Sequence, residues 1–198
     1  LHVSQHSFPT RRSSDLDTYA EFKEVINSTY NSKGNIVIPS FAVERTQEII
    51  FTLGQLFKEG AVPRIPVYID SPLAINATEI FNNNPDCFNQ EMQTLMSSGI
   101  NPLDFPNLHY VKTTEESKSL NEKAKGSIII SASGMCTAGR IKYHLQNNLY
   151  KPASSVLFVG YQAKGTVGRS LVEGAKKVHL FGEEIAVSAE IRVLGAVS

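Results

Sequence analysis

The chain has few cysteines, no excess of charge and no long apolar run, and each shortage removes a class of protein. Two cysteines in 198 residues, Cys87 and Cys136, lack metal-type spacing and supply no disulfide framework, so reduced thiols are expected. Nineteen basic residues balance nineteen acidic ones, which leaves no global field to draw the protein to nucleic acid or an acidic membrane; any RNA site must be local. No apolar stretch nears the roughly 20 residues of a membrane span, and no signal peptide opens the chain, so a cytoplasmic location without membrane contact is expected. Neither Gly-x-x-x-x-Gly-Lys-Ser/Thr nor Gly-x-Gly-x-x-Gly follows a candidate strand, which counts against an independent nucleotide-binding domain. The five histidines, His2, His6, His109, His144 and His179, show no pairing at ligand spacing, and solvent-facing or hydrogen-bonded structural roles are expected for them.

What the chain does have is one layout repeated. The stretch 126–131 reads as a buried interior strand; it enters a small-residue loop, Ser133-Gly134-Met135, and then a helix with Ile141, Leu145 and Leu149 on one face. Asn35–Pro39 leads to Ser40 and a helix with Ile49, Leu53 and Leu56 inward. Pro66–Ile69 leads to Asp70-Ser71-Pro72, where Ser71 can cap a helix and Pro72 fits its first turn. Ser155–Val159 leads to Gly160-Tyr161-Gln162 and a helix carrying Leu171 and Val172, and Leu108–Lys112 is a weaker fifth strand. Strands alternating with helices predict an α/β fold: a mostly parallel sheet with helices on both faces and right-handed crossovers. The polar turns then gather along the carboxyl edge, where open α/β sheets bind ligands. Cys136 beside the loop reads as a buried or semi-buried thiol, with a nucleophile as the alternative.

The ends differ from this pattern. The stretch His6–Leu16 resembles the translation of a sequencing-library adapter, and residues 1–16 are set aside as a non-native, disordered tail; with them goes the nucleic-acid reading of Arg11-Arg12. Native sequence is expected from Asp17, with Tyr19, Phe22, Val25 and Ile26 marking an amphipathic helix. The middle predicts a short helix with Phe88, Leu95 and Met96 inward, and 113–125 reads as a polar helix on a solvated face. At the C-terminus Val178–Phe181, a Gly-Glu-Glu turn and the alternation of Ile185, Val187, Ala189, Ile191 and Val193 predict a half-buried antiparallel hairpin.

Five ordered motifs carry a resemblance: Ile38-Pro39-Ser40-Phe41-Ala42 with Arg45-Thr46-Gln47-Glu48; Asp70-Ser71-Pro72; Ser131-x-Ser133-Gly134-Met135; Val159-Gly160-Tyr161-Gln162 with Gly165-Thr166-x-Gly168; and Phe181-Gly182-Glu183-Glu184-Ile185. Residues 17–198 resemble the β-CASP domain of metallo-β-lactamase-fold ribonucleases, nearest to prokaryotic relatives of the endonuclease subunit of the pre-mRNA 3′-end cleavage factor. The resemblance implies a cap over a metallo-β-lactamase domain, with single-stranded RNA entering between them and two zinc ions activating the attacking water. The His-x-His-x-Asp-His motif of that family is missing here, and the chain stops just before its downstream histidine motif. Expected, then, is an RNA-gripping cap truncated just before the return to its catalytic domain. It binds no zinc itself and is inactive alone, its parent holds zinc, and a homodimer is left open.

The resemblance also suggests substrate-binding residues: Ser40, Arg45, Asp70, Ser71, Ser133, Gly134, Met135, Arg140, Tyr161, Gln162 and Arg169, with no catalytic residue in the chain. Ser133, Gly134 and Met135 would meet a phosphate through backbone N–H groups and the Ser133 hydroxyl, or merely close a strand-to-helix turn. Arg45 would contact a phosphate or pair with Glu48 or Asp70. Asp70 would orient Arg45 or cap a helix, with a catalytic base as the alternative. Arg140 and Arg169, expected one turn into their helices, would be phosphate ligands. Tyr161 would stack on a base or pack in the core. Two other readings stay open, an independent nucleotide-binding α/β domain and a noncatalytic interaction module.

Overall fold

The computed structural model describes residues 13–84, 90–99, 101 and 103–194. Six strands form one parallel sheet in the order β3-β2-β4-β1-β5-β8: β1 Ile36–Pro39, β2 Val67–Ile69, β3 Leu108–Tyr110, β4 Ile128–Ser131, β5 Ser155–Phe158 and β8 Glu190–Val193. The central strands β1, β4 and β5 are buried at every residue, as uninterrupted apolar runs must be when helices cover both faces. Alternation sorts their side chains. Ile36 and Ile38 with Ile128 and Ile130 pack on one side, while Val37 with Val156 and Phe158 packs on the other.

The first side is covered by α1 Ser13–Asn31, α2 Arg45–Lys58 and α3 Pro72–Asn83, which supply Phe22, Ile26, Ile50, Leu53, Leu56 and Ile75 to the larger core. The second side carries α6 Ile141–Asn148 and α7 Val167–Val172, with Ile141, Leu145, Leu149 and Leu171 buried. Farther along that face, α5 Thr114–Lys123 lays Leu120 over Ile129. The short helix α4 Gln90–Ser97 packs Met96 against the larger core. The sequence places its stops and starts where expected: Ser71 caps α3 by accepting from Ala74 N, with Pro72 in the first turn, and Thr113 with Glu116 forms a capping box on α5.

Three expectations change. The C-terminal hairpin is shorter than its alternation suggested: β6 Lys177–Leu180 pairs antiparallel with β7 Glu183–Ala186 alone. Val187 N then bonds Lys176 O, and Ser188 N and Ala189 N both bond Leu149 O at 2.8 Å, which turns the chain back to the sheet. There β8 pairs parallel with β5. Alternation reports a half-buried strand and says nothing of its partner, so two strands were read as one arm. Second, α1 starts at Ser13, inside the segment set aside as a tail; a nucleated helix extends by a turn at little cost. Third, α5 is not wholly a solvated face, because Ser117 and Leu120 are buried. The expectations for residues 1–12, Cys87, Phe88, the Leu95 side chain and residues 195–198 fall outside the described residues. Among the described residues no helix is long and apolar enough to cross a membrane.

Candidate nucleic-acid interface at the carboxyl edge of the sheet

Because the strands are parallel, the turns leaving β1, β2, β4 and β5 emerge on one edge, and hydrogen bonds lock them to one another. Ser40 N donates to Ser131 O at 3.0 Å, and Ser131 Oγ donates to the Asp70 carbonyl at 2.8 Å. Gln162 Nε2 donates to Gly134 O at 3.0 Å and to Gly160 O at 3.1 Å, while Gly168 N donates to Met135 O at 3.2 Å. At Gly168 the contact excludes a side chain, because a Cβ there would sit 1.8 Å from Gln162 Oε1; one on Gly134, 3.0 Å from the Phe41 ring, would need that ring to give by a few tenths of an ångström.

Asp70 is the electrostatic centre of this edge. Its side chain is fully buried, and its carboxylate accepts from Arg140 Nη1 at 2.7 Å on Oδ1 and from Ser117 Oγ at 2.5 Å and His144 Nε2 at 2.6 Å on Oδ2. Burial pushes the carboxyl up, but the hydrogen bonds from His144, Ser117 and Arg140 outweigh that and hold it below its ordinary value. With the carboxylate ionised, His144 Nε2 must be the donor; His144 Nδ1 is buried without a partner. Arg140 also donates to Val111 O at 3.3 Å, so one charged cluster joins the ends of β2 and β3 to α5 and α6. Both oxygens are occupied and inaccessible, which leaves no room for a base. Asp70 therefore orients Arg140 and not Arg45, and Ser71, not Asp70, caps α3.

The other site residues divide by what they touch. Ser133 Oγ accepts from Thr137 N and Ala138 N, each at 3.2 Å, and donates to Ala138 O at 3.2 Å, so its hydroxyl closes its own loop. Ser40 is buried, donating to Phe41 O and accepting from Thr46 Oγ1 at 3.1 Å. Arg45 pairs with Glu48 and Arg169 with Glu173, each at 2.7 Å along its own helix. Tyr161 does not pack in the core; it is 62% exposed, and Phe41 is 47% exposed. Gln162 is buried, with Oε1 lacking a partner. Cys136 is buried, and desolvation pushes its thiol up to about 12, as a structural thiol requires and a nucleophile does not.

Sequence reasoning did not place His144, Ser117 or Phe41 at this edge, although His144 takes the hydrogen-bonded structural role expected of it. Arg140 and His144 stand four apart, so they share a helix face, and that spacing opposite a strand-end carboxylate was the available signal. Ser117 was hidden in a polar helix that gave no sign of its buried side. Among the described residues no three His, Cys, Asp or Glu side chains gather as a metal ion requires, so these residues do not fit the two zinc ions.

The pattern of the Beta-Casp domain matches residues 46–171. The chain belongs to the Beta-Casp family. A ribonuclease of Thermus thermophilus is 36% identical over 183 residues, covering 92% of this chain and 42% of its own length. An RNase J-like protein of Methanocaldococcus jannaschii is 32% identical over 168 residues, 85% of this chain and 38% of that protein. The transcription termination factor FttA of Methanosarcina mazei is 29% identical over 188 residues, 92% of this chain and 29% of that protein. This Beta-Casp chain thus spans less than half the length of these relatives. Its parallel α/β sheet and separate hairpin are the fold class that the alternation of strands and helices predicted.

Proposed function

We propose that the chain is the RNA-gripping cap of a zinc-dependent ribonuclease that hydrolyses RNA phosphodiester bonds, the zinc ligands lying outside residues 1–198. The observation that carries this reading is the interlocked carboxyl edge: four turns fixed by the hydrogen bonds of Ser40 and Asp70 to Ser131, of Gln162 to Gly134 and of Gly168 to Met135, with aromatic faces left open beside them. Relatives named as a ribonuclease and an RNase J-like protein agree with it. Phe41 and Tyr161 offer bases a stacking surface, and Arg140, with a side chain 21% exposed and donors beyond those used by Asp70 and Val111, offers a phosphate partner held at a fixed angle.

Recruitment through Phe41 and Tyr161 needs no net charge on the protein, which suits the balanced composition. Val43 and Leu73, 53% and 62% exposed near the starts of α2 and α3, suit the apposition of a further domain, the metallo-β-lactamase domain of the same protein. The test is fluorescence anisotropy with labelled single-stranded RNA. Tyr161→Ala and Phe41→Ala should each weaken binding by about 1–3 kcal/mol if a base stacks there. Unchanged affinity in both, with normal folding, would remove the carboxyl edge, the crevice between these four turns, from consideration as the RNA site.

A further inference from the structure

Where parallel strands begin, the preceding helices end, and at the amino edge of this sheet three helix ends bring three lysines to one pocket. The pocket, of about 420 Å³, is lined by Lys33, Lys125 and Lys151 together with Tyr150, Pro152 and backbone from Gly34 and Ala153. It lies across the sheet from the crevice. Its floor is built rather than incidental. Asn35 Nδ2 donates to Ala124 O at 2.8 Å and to Asn148 Oδ1 at 3.1 Å, and Asn35 Oδ1 accepts from Ser127 N at 3.3 Å. Gly34 forms a wall so close that a Cβ would fall 1.6 Å from Ala153 O.

The charge at this pocket exceeds what the helices need. Lysines just after helix ends commonly answer the partial negative charge there, about half a unit for each terminus. Lys33, Lys125 and Lys151 follow the ends of α1, α5 and α6, so three termini account for roughly 1.5 charges out of three. Among the described residues no acidic side chain lines the pocket; Glu122, on the last turn of α5, is exposed and lies outside it. Beside the cations Tyr150 is 52% exposed, with Lys151 Nζ 5.5 Å from its ring centre. Surplus positive charge, an open aromatic ring and a preformed hollow of nucleotide size are the chemistry that holds a phosphate joined to a base.

We propose that this pocket is a second binding site for single-stranded RNA, with the phosphates on Lys33, Lys125 and Lys151 and a base on Tyr150. It rests on the chain being an RNA binder but not on the crevice. The test uses the full chain and a labelled single-stranded RNA containing 4-thiouridine. Photocrosslinking should mark the peptide carrying Tyr150, and K33E/K125E/K151E should weaken binding at least about tenfold and flatten the salt dependence by about 2 in log–log slope. The triple Lys→Arg variant should retain binding, and the triple Lys→Gln variant replaces the Glu variant if that one misfolds.

Crosslinks confined to Phe41 or Tyr161, with unchanged affinity in the charge variants, would overturn the second site and leave the crevice standing. Crosslinks confined to Tyr150 would do the reverse. A lowered melting temperature with unchanged RNA affinity overturns it as well, since the lysines would then serve only the helix ends.

Discussion

The two edges of the sheet spend their charge in opposite ways. At the carboxyl edge Asp70 takes Arg140, His144 and Ser117, Arg45 takes Glu48 and Arg169 takes Glu173, so most of the charge is settled within the protein and aromatic faces are what remain open. At the amino edge three lysines line a hollow with no carboxylate among the described residues of its lining. A net charge of zero conceals this separation. The lesson is that a balanced composition limits long-range attraction and says little about a pocket a few residues wide, because screening confines each field to about 10 Å or less in ordinary salt.

The largest expected effect breaks the carboxyl edge. Asp70→Asn leaves Arg140 and His144 without their carboxylate and should cost about 3 kcal/mol in chemical denaturation. The pH dependence supplies a sharper mark. The folded-state carboxyl lies below its ordinary 3.8, so its contribution is complete above that value and drains away as pH falls through the lower folded one. The original protein should therefore lose stability steeply below about pH 4, and Asp70→Asn should lose less over the same interval. Parallel acid profiles would show that the cluster contributes nothing specific.

A smaller loss breaks the amino edge. Gly34→Ala drives a methyl into Ala153 O, and the backbone must shift to admit it, at about 1–3 kcal/mol. A melting temperature equal to that of the original protein would mean that the wall is looser than its geometry. The smallest effect compares the exposed groups of both edges. Tyr161→Ala and Lys125→Ala should each leave stability within about 0.5 kcal/mol, since neither side chain is buried. A larger loss in either, by thermal or chemical unfolding, would give that side chain a part in folding and weaken its case as a ligand contact.

Much of this architecture was legible in the sequence. The strands at 36–39, 128–131 and 155–158 announced themselves as unbroken apolar runs because both of their faces are covered, and Ser71-Pro72 marked a helix start by local chemistry alone. Long-range pairing was not legible. Nothing near Asp70 names Arg140 or His144 as its partners, since the contacts span 70 and 74 residues and depend on which strands adjoin. Arg45 could be read either way until Glu48, three residues on, was seen to hold it. For β8 the same limit applied: Ile191 and Val193 showed a period of two, and only the bonds from Ser188 and Ala189 to Leu149 determined which strand they would join.

The meeting of Gln162 with Gly168 makes tolerance to change depend on order. Gln162 is buried, and its amide is pinned to Gly134 O and Gly160 O, so it cannot swing aside for a side chain at Gly168. Met135 O, 3.1 Å from the same point, narrows the space further. A lineage could acquire a side chain at Gly168 only after Gln162 had been shortened, and shortening it first would cut the tie between the two loops. The pair therefore behaves as a unit, in which a change at Gly168 alone is costlier than the same change made with a shorter residue at 162.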